Sequence, residues 1–435
     1  MTPPRRILIL GGGFGGVYTA LHLDRFAGPE SGLEVTIVSA ENFLLFTPML
    51  HEVAASDLNP MDIVNPLRRM FRHVQFLEGE VDHVDMQTRR VNIKYAAGTK
   101  QRELEYDHLV LAVGSENNFF GDANLERHAV TMKTITDAML LRNRIIALLE
   151  NASVETDETA RRAMLTIVVA GGGFAGVETI GAVNDFVRGA LRWYPNLREE
   201  EIRIVLVHPQ EVILPELGDL LGRYTQKKLA ERQVEIVTNT RVKSYDGGQV
   251  DLDKGAPIPA STLIWTAGVT PGKLVRDLPC RKDHGRIVVN EFLEIPDQPG
   301  VWSLGDCAWA IDSDTGKPFP TTAQHAVRQG KAVAKNILAS LRNEPKEAFR
   351  FKMLGQLAAI GQRTGVAEIF GMRFSGLLAW LMWRTIYLMK LPRFEKKLQV
   401  ALHWTMDLFF PKDLTQILTS RAIQDASRKL PAAKH

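Results

Sequence analysis

The sequence predicts an α/β chain with two Rossmann-like dinucleotide-binding domains and a C-terminal amphipathic helical element, on three observations. A short apolar strand runs into a glycine-rich turn, Gly11-Gly-Gly-Phe-Gly-Gly16, and then into a helical pattern. The same succession returns at Gly171-Gly-Gly-Phe-Ala-Gly176. From Gly371 the composition shifts towards Trp, Leu, Phe and Lys/Arg.

Taken in order, residues 5–10 form a β-branched and leucine-rich strand, 17–26 a helix and 33–38 a second strand, a βαβ unit of roughly 30 residues. The second unit repeats this with a strand at 166–170, a helix at 177–187 and a strand at 202–207. The charge-rich stretch Asn151 to Arg162 reads as a solvated linker. Strands are expected at 234–240, 263–266 and 287–289, a strand and turn at 300–306, and a helix at 321–341. The longest apolar stretch, 374–391, contains Arg384 and Lys390. A spanning helix needs about 20 apolar residues, and a central Arg costs ~2.5–3.5 kcal/mol, so no transmembrane helix is expected.

Composition bounds the function. At roughly 150 residues per domain, 435 residues predict two or three domains. With 45% hydrophobic and 24% charged residues, wholesale disorder is excluded. A net charge of only +3 excludes a nucleic-acid-binding chain on the whole-chain figure. The two cysteines, Cys280 and Cys307, make no CxxC pair, zinc cluster or disulfide framework. Only four apolar residues precede the first glycine cluster, against roughly 7–15 in a signal peptide, so a cytosolic start is expected.

The glycine motifs carry the chemistry. In each, the first glycine (Gly11, Gly171) permits the tight turn, the second (Gly13, Gly173) lets backbone approach a pyrophosphate, and the third (Gly16, Gly176) lets helix pack on strand. The anion then rests on the helix N-terminus. An ordinary βα turn is the plain alternative, which the repetition disfavours. An acid that binds the ribose is expected about 20 residues on. Ser39, with Glu41 beyond it, stands there in the first unit, and His208, with Glu211 nearby, in the second. Neither is the simple acid, which leaves NADH against NADPH open.

These residues resemble the flavoproteins with two dinucleotide-binding domains. Three more motifs match in order: Tyr106-Asp-His-Leu-Val-Leu-Ala112-Val-Gly114-Ser, Leu263-Ile-Trp-Thr-Ala267-Gly268-Val, and Val301-Trp-Ser-Leu-Gly305-Asp306-Cys-Ala. Within that group the chain is similar to the type II, non-proton-pumping NADH:quinone oxidoreductases. The narrower signals are Asn42-Phe-Leu-Leu-Phe-Thr47-Pro48-Met-Leu, Gly171 to Glu178, Thr322-Ala323-Gln324-His-Ala-Val-Arg328, and the Trp-rich tail.

The resemblance implies an FAD domain at 1–118 and 285–345, an inserted NAD(P)H domain at 119–284, and a C-terminal membrane-association region at 346–435. It places FAD at Gly11, Gly13, Phe14, Gly15, Gly16, Ser39, Glu41, Thr47, Pro48, Ala112, Gly114, Gly305, Asp306, Ala323 and Gln324. NADH, or NADPH, goes to Gly171, Gly173, Phe174, Ala175, Gly176, His208, Ala267 and Gly268, its nicotinamide against the flavin. Glu178 matches the family's active-site glutamate, a residue that positions nicotinamide or quinone or relays a proton. A helix N-terminal acid favoured by the helix dipole is the alternative. A pair of glutamines four apart matches only at Gln324, because the second position is Arg328. Both lie on one helical face. Arg328 is either a quinone contact or a surface arginine. No metal or protein nucleophile is required, since the flavin performs the redox chemistry.

The near-neutral charge hides an asymmetry, for the chain from Gly371 on carries +7 and the rest −4. Trp380, Trp383, Tyr387, Trp404, Phe409 and Phe410 accompany that basic excess, as at a lipid headgroup interface. Leu398, Ala401, Leu402, Thr405, Leu408 and Phe409 follow helical spacing and give one apolar face. An anionic lipid surface is the expected partner, on the cytoplasmic face of the plasma membrane and peripheral to it. The body of the protein, or a second subunit in a homodimer, is the other surface such a face would fit. Two rival functions stay open: a soluble NAD(P)H-dependent flavoprotein reductase with a protein, oxygen or sulfur-compound acceptor, and a non-enzymatic nucleotide-binding sensor.

Overall fold

A computed structural model describes residues 4–28, 31–95 and 100–417. By contact the chain divides into two units. The first comprises residues up to Leu45, Val64–Glu116 and Val269–Met353; the second comprises Phe46–Ile63, Asn117–Gly268 and the chain from Leu354 on. The 346–435 region set apart in the sequence is thus divided between them.

The first unit is built on a five-stranded parallel sheet, in the spatial order Val301–Ser303, His108–Leu111, Arg5–Leu10, Leu33–Ser39, Gln75–Glu78. Ile7, Ile9, Val35, Ile37, Leu109 and Trp302 form its core, each 3% exposed or less. A parallel sheet covered on both faces demands such runs of apolar residues. The helices Phe14–Leu23 and Ala323–Leu341 cover one face and meet at glycine. A Cβ on Gly330 would sit 2.7 Å from the Gly15 carbonyl oxygen. An antiparallel ribbon, Glu80–Asp85, Arg90–Lys94 and Gln101–Glu105, is inserted between the third and fourth strands in sequence.

The second unit repeats this plan. Its parallel sheet has the order Val130–Thr131, Thr262–Trp265, Thr166–Ala170, Arg203–Val207, Val234–Val237. An antiparallel ribbon again precedes the strand that pairs beside the first (Val242–Tyr245, Gln249–Leu252, Ile258–Pro259). To this it adds the helices Leu50–Ala54, Ile135–Val154 and Phe174–Ala190. A three-stranded antiparallel sheet follows, Gly355–Ala359, Gly365–Ile369 and Met372–Ser375, and then the helices Gly376–Lys390 and Phe394–Met406.

Two expectations are corrected. Both nucleotide helices start earlier than the apolar pattern suggests, at Phe14 and Phe174, because the last glycines of each turn are already helical. The stretch 151–162 is not a linker. The helix Ile135–Val154 runs into it, and Asp157 caps a new helix, Glu158–Met164, by accepting from the Thr159 and Ala160 N–H groups. Charge that reads as solvation is helix capping here. Among the described residues, no helix is long and apolar enough to cross a membrane.

Candidate functional site

In the first unit the strand Arg5–Leu10 ends at Gly11, whose φ of +111° lies where a side chain is strained. A Cβ on Gly16 would stand 2.0 Å from the Gly11 carbonyl oxygen, so only glycine lets the helix start under the strand end. Gly13 precedes Phe14 and Gly15 without any side-chain cap, and a Cβ on it would meet nothing within 4 Å. A helix start that carries no side-chain cap is the arrangement that holds a phosphate.

The other candidate residues of this unit lie at the carboxyl ends of the same parallel strands. Ser39 borders Gly12, and its Oγ accepts from the Glu41 N–H at 3.3 Å. The Ala112 carbonyl oxygen would touch a Cβ on Gly11 at 2.3 Å, and Gly114 turns the chain with φ +70°. The Gly305 N–H donates to Gln329 Oε1 at 2.8 Å, and Ser115 Oγ donates to the Asp306 carboxylate at 2.8 Å. Ligands of open α/β sheets bind at this edge. The steric cradle and the uncapped N-terminus fit a dinucleotide such as FAD.

Ala323 and Gln324 open a helix capped by Thr322. Four residues on, Arg328 is no free surface arginine. It donates to the Gln324 carbonyl at 3.0 Å, and its guanidinium stacks 4.1 Å from the Phe351 ring centroid. Thr47 and Pro48 belong by contact to the second unit, on the short turn Thr47–Met49.

The second turn reproduces the first. Gly171 has φ +107°, and a Cβ on Gly176 would be 1.8 Å from the Gly171 carbonyl oxygen. Gly173, before Phe174 and Ala175, is again uncapped, and a Cβ there would meet only Glu216 Oε1, at 3.9 Å. His208 directly follows the neighbouring strand, and its Nδ1 accepts from the Gly172 N–H at 3.0 Å. Ala267 and Gly268 follow the strand Thr262–Trp265, and the Gly268 carbonyl accepts from the Asn118 N–H at 3.1 Å.

Glu178 is not an exposed acid resting on a helix dipole. It is buried in the second unit, accepting from the Trp383 indole N–H at 2.9 Å and the Ala359 N–H at 3.3 Å. Gly181, one turn along, permits the second bond, because a Cβ there would lie 2.6 Å from the Ile360 carbonyl carbon. Burial pushes the Glu178 carboxyl up to about 8, against the pull of both donors. His51 Nδ1 lies 3.8 Å from Glu178 Oε2, and burial pushes this imidazole down to about 3. At neutral pH the pair is therefore uncharged, with the carboxyl holding its proton.

A second buried carboxyl repeats the device. Glu52 accepts from the Trp404 indole at 3.0 Å and is pushed up to about 8 by burial and then by Asp57, with Arg384, Trp404 and Lys412 opposing. Lys412 Nζ is 2.7 Å from Asp57. The guanidinium of Arg384 lies between the rings of Trp380 and Trp404, at 4.1 and 4.5 Å.

These contacts correct the reading of the tail. Trp383 and Trp404 are 0% and 6% exposed, so they are not headgroup residues: a buried carboxyl needs a donor, and the indole supplies one. Arg384 and Lys412 likewise offset buried acids. The outward faces of the two C-terminal helices carry Leu377, Leu378, Leu381, Phe394, Leu398 and Leu402 instead, and Phe409 and Phe410 are exposed beyond them. Arg421, Arg428, Lys429 and Lys434 lie outside the described residues. Sequence reasoning missed His51, Glu52 and Asp57, and took Trp383, Trp404, Arg384 and Lys412 for interfacial groups. The one signal was the excess of tryptophan itself. Cys307 is buried, its Sγ donating to the Leu304 carbonyl, and Cys280 is half-buried.

Comparison with known proteins agrees with this geometry. Residues 5–330 match the family described as pyridine nucleotide-disulphide oxidoreductase, and 353–413 match the NDH2 C-terminal domain. A probable NADH dehydrogenase of Dictyostelium discoideum is 31% identical over 94% of this chain and 91% of its own. A type II NADH:quinone oxidoreductase of Mycobacterium tuberculosis is 31% identical over 93% and 88%. The fold is shared with NDH2 from Plasmodium falciparum, solved in complex with NADH, at a TM-score of 0.87 and 19% identity over 94% of this chain and 99% of that one. The chain belongs to the pyridine nucleotide-disulphide oxidoreductase family and, within it, to the type II NADH:quinone oxidoreductases.

Proposed function

We infer that this chain oxidises NADH through bound FAD and passes the two electrons to a quinone, without proton pumping. The observation that carries the reading is the duplicated glycine turn, one uncapped helix N-terminus in each unit, within a chain of this family. FAD, when bound, supplies the two-electron redox centre. The chain's own residues bind and orient: the turn at Gly11–Gly16 with Ser39, Ala112, Gly114 and Asp306 for FAD, and the turn at Gly171–Gly176 with His208, Ala267 and Gly268 for NADH.

Proton balance calls for an acid, and Glu178 is proposed for it. NADH yields a hydride and a quinol carries two hydrogens, so each turnover takes up one further proton. Glu178 is a buried carboxyl that still holds its proton at neutral pH, which suits it to deliver that proton or to relay it. Replacing it with glutamine keeps the shape and the one oxygen that accepts from both Trp383 and Ala359 but removes the acid. Glu178→Gln is expected to leave the rate of flavin reduction by NADH unchanged and to lower quinone turnover by ~100-fold, the lower range for general acid–base catalysis. Unchanged turnover rejects the role. Gln324 and Arg328 are proposed to line the quinone end, with Arg328 held by Phe351.

The membrane role rests on the outward faces of the last two helices. Phe394 is 79% exposed and Leu398 64%, and beside them Lys390 is exposed and Lys397 half-buried, a pattern that fits a helix lying in the plane of an anionic lipid surface. The exposed face is a proposal for peripheral attachment on the cytoplasmic side, with a second copy of the chain as its competitor. Truncating the tail is a poor test, because it removes Trp383 and Trp404 from buried carboxyls. Leu378→Glu, Leu398→Glu and Leu402→Glu together leave those bonds in place. This variant is expected to lose flotation with anionic liposomes that the wild type shows at low salt, and equal flotation of both contradicts the attachment.

A further inference from the structure

The glycine turn of the first unit lies at the edge where the strands of its sheet end. At the opposite edge, where they begin, the helix Phe14–Leu23 runs out at Asp24, and the loop Met70–His73 leads into the strand Gln75–Glu78. Ten helical residues at ~1.5 Å rise each set that end about 15 Å from the turn. Between helix and loop lies an open cleft of about 620 Å³, with Tyr18, His22 and Arg25 on one side and Met70, Arg72 and His73 on the other. Sites for small molecules have volumes of roughly 300–1,000 Å³.

The positive charge of this cleft is not neutralised. The one carboxylate in its lining, Asp24, is turned onto the loop, where it accepts from the N–H groups of Arg72, His73 and Val74 at 2.7 to 3.1 Å and fixes the loop against the helix end. Arg25 and Arg72 are exposed, and neither guanidinium has a hydrogen-bond or ion-pair partner among the described residues. Other exposed arginines are engaged: Arg90 with Glu103 and Glu105, Arg203 with Glu235, and Arg223 with Glu211. The excess is felt at His22, whose imidazole is pushed down by burial and then by Lys331, Arg25 and Lys335. The rest of the wall is the half-buried ring of Tyr18 with Met70. Guanidinium forks match phosphate oxygens, and a base stacks on an aromatic ring. A bare phosphate would leave the Tyr18 side of the cleft uncovered.

We propose that this cleft binds a nucleoside diphosphate, apart from both dinucleotide sites: its phosphates rest between Arg25 and Arg72, with the rings of His22 and His73 as further donors, and its base lies against Tyr18 and Met70. The ligand thereby bridges the helix end and the loop that Asp24 already ties together. All of these residues belong to the first unit, so the proposal does not depend on what the second unit binds. A terminal phosphate is essential to it. In NAD+ that phosphate is esterified and a pyridinium offsets its charge, so NAD+ is a poor ligand here.

The test uses FAD-loaded full-length protein in excess NAD+, titrated by calorimetry with ADP, pyrophosphate and adenosine. ADP is expected to bind once per chain, about tenfold or more tighter than either fragment, and to weaken as salt is raised. Arg25→Gln with Arg72→Gln changes two exposed side chains and is expected to weaken ADP by about tenfold or more, with the rate of flavin bleaching by NADH unchanged. Wild-type protein that does not bind ADP overturns the proposal. So does a double variant that binds ADP as the wild type does, or ADP binding that is lost when NAD+ is present. Pyrophosphate bound as tightly as ADP overturns the place given to the base, and with it the nucleoside diphosphate as ligand.

Discussion

Gly176→Ala is expected to leave the protein yellow and to abolish bleaching of its flavin by NADH. The added Cβ would lie 1.8 Å from the Gly171 carbonyl oxygen and 2.8 Å from Thr266 Oγ1. A backbone carbonyl at the end of a central strand has nowhere to go, so the turn must open and the helix N-terminus must leave its place. FAD retention follows because the glycine turn of the first unit, with its own sheet, is untouched. Gly173→Ala is the informative companion. Its Cβ would meet only Glu216 Oε1, at 3.9 Å, and its φ of −78° suits any residue. The fold should therefore be undisturbed, while the methyl occupies the path of the pyrophosphate and weakens NADH binding. Thermal unfolding separates the two: a lower Tm for Gly176→Ala, and an unchanged Tm with weaker NADH binding for Gly173→Ala. Bleaching at the wild-type rate in both would contradict the assignment of this turn.

The second large effect is a loss of stability between about pH 6.5 and 8. Glu52 and Glu178 ordinarily titrate at 4.5 and are pushed up to about 8 by burial. Below 4.5 the folded and unfolded chains both hold these protons; from 4.5 to 8 only the folded chain does, so stability falls as pH rises through that range. His51 has the opposite sign. It is pushed down from 6.5 to about 3, so between those values the unfolded chain takes up a proton that the folded one refuses, and stability rises with pH. His108 and His325, both pushed down to about 4 by burial, act the same way. Asp407, pushed up to about 6, has the same sign as the two glutamates and titrates mostly below the window. Above 6.5 the opposing imidazoles fade and Glu52 and Glu178 contribute ~1.4 kcal/mol per pH unit each while they last, with Asp57, which burial also pushes up, acting in the same sense. The Tm of FAD-loaded protein should decline from pH 6.5 to 8, and Glu52→Gln and Glu178→Gln should each make the decline shallower, being terms of the same sign. A flat wild-type profile in this window would show that these carboxyls are ionised in the folded protein.

What was legible in the sequence was what the backbone dictates locally. Gly11 and Gly171 need positive φ, and Gly16 and Gly176 have no room for a side chain, so those residues announce their turns without knowledge of any partner. Parallel strands buried on both faces leave apolar runs that are equally plain. Side-chain pairing across the chain was not legible. Glu178 meets Trp383, 205 positions away, and Glu52 meets Trp404 across 352. Nothing local distinguishes a tryptophan destined for a buried carboxyl from one destined for lipid, since both want an apolar bed and a polar partner for the indole N–H. Arg384 and Lys412 were misjudged for the same reason, and His208 could be recognised only as a missing acid until its bond to Gly172 fixed which nitrogen carries the hydrogen.

On the proposed function, one chain takes hydride from NADH and yields the electrons to a quinone. Anaerobic mixing of the FAD-loaded protein with NADH, followed by a soluble quinone, tests it most directly. NADH is expected to bleach the flavin absorbance and the quinone to restore it, one quinone consumed per NADH. A flavin that NADH fails to bleach, or that stays bleached after quinone is added, would contradict it.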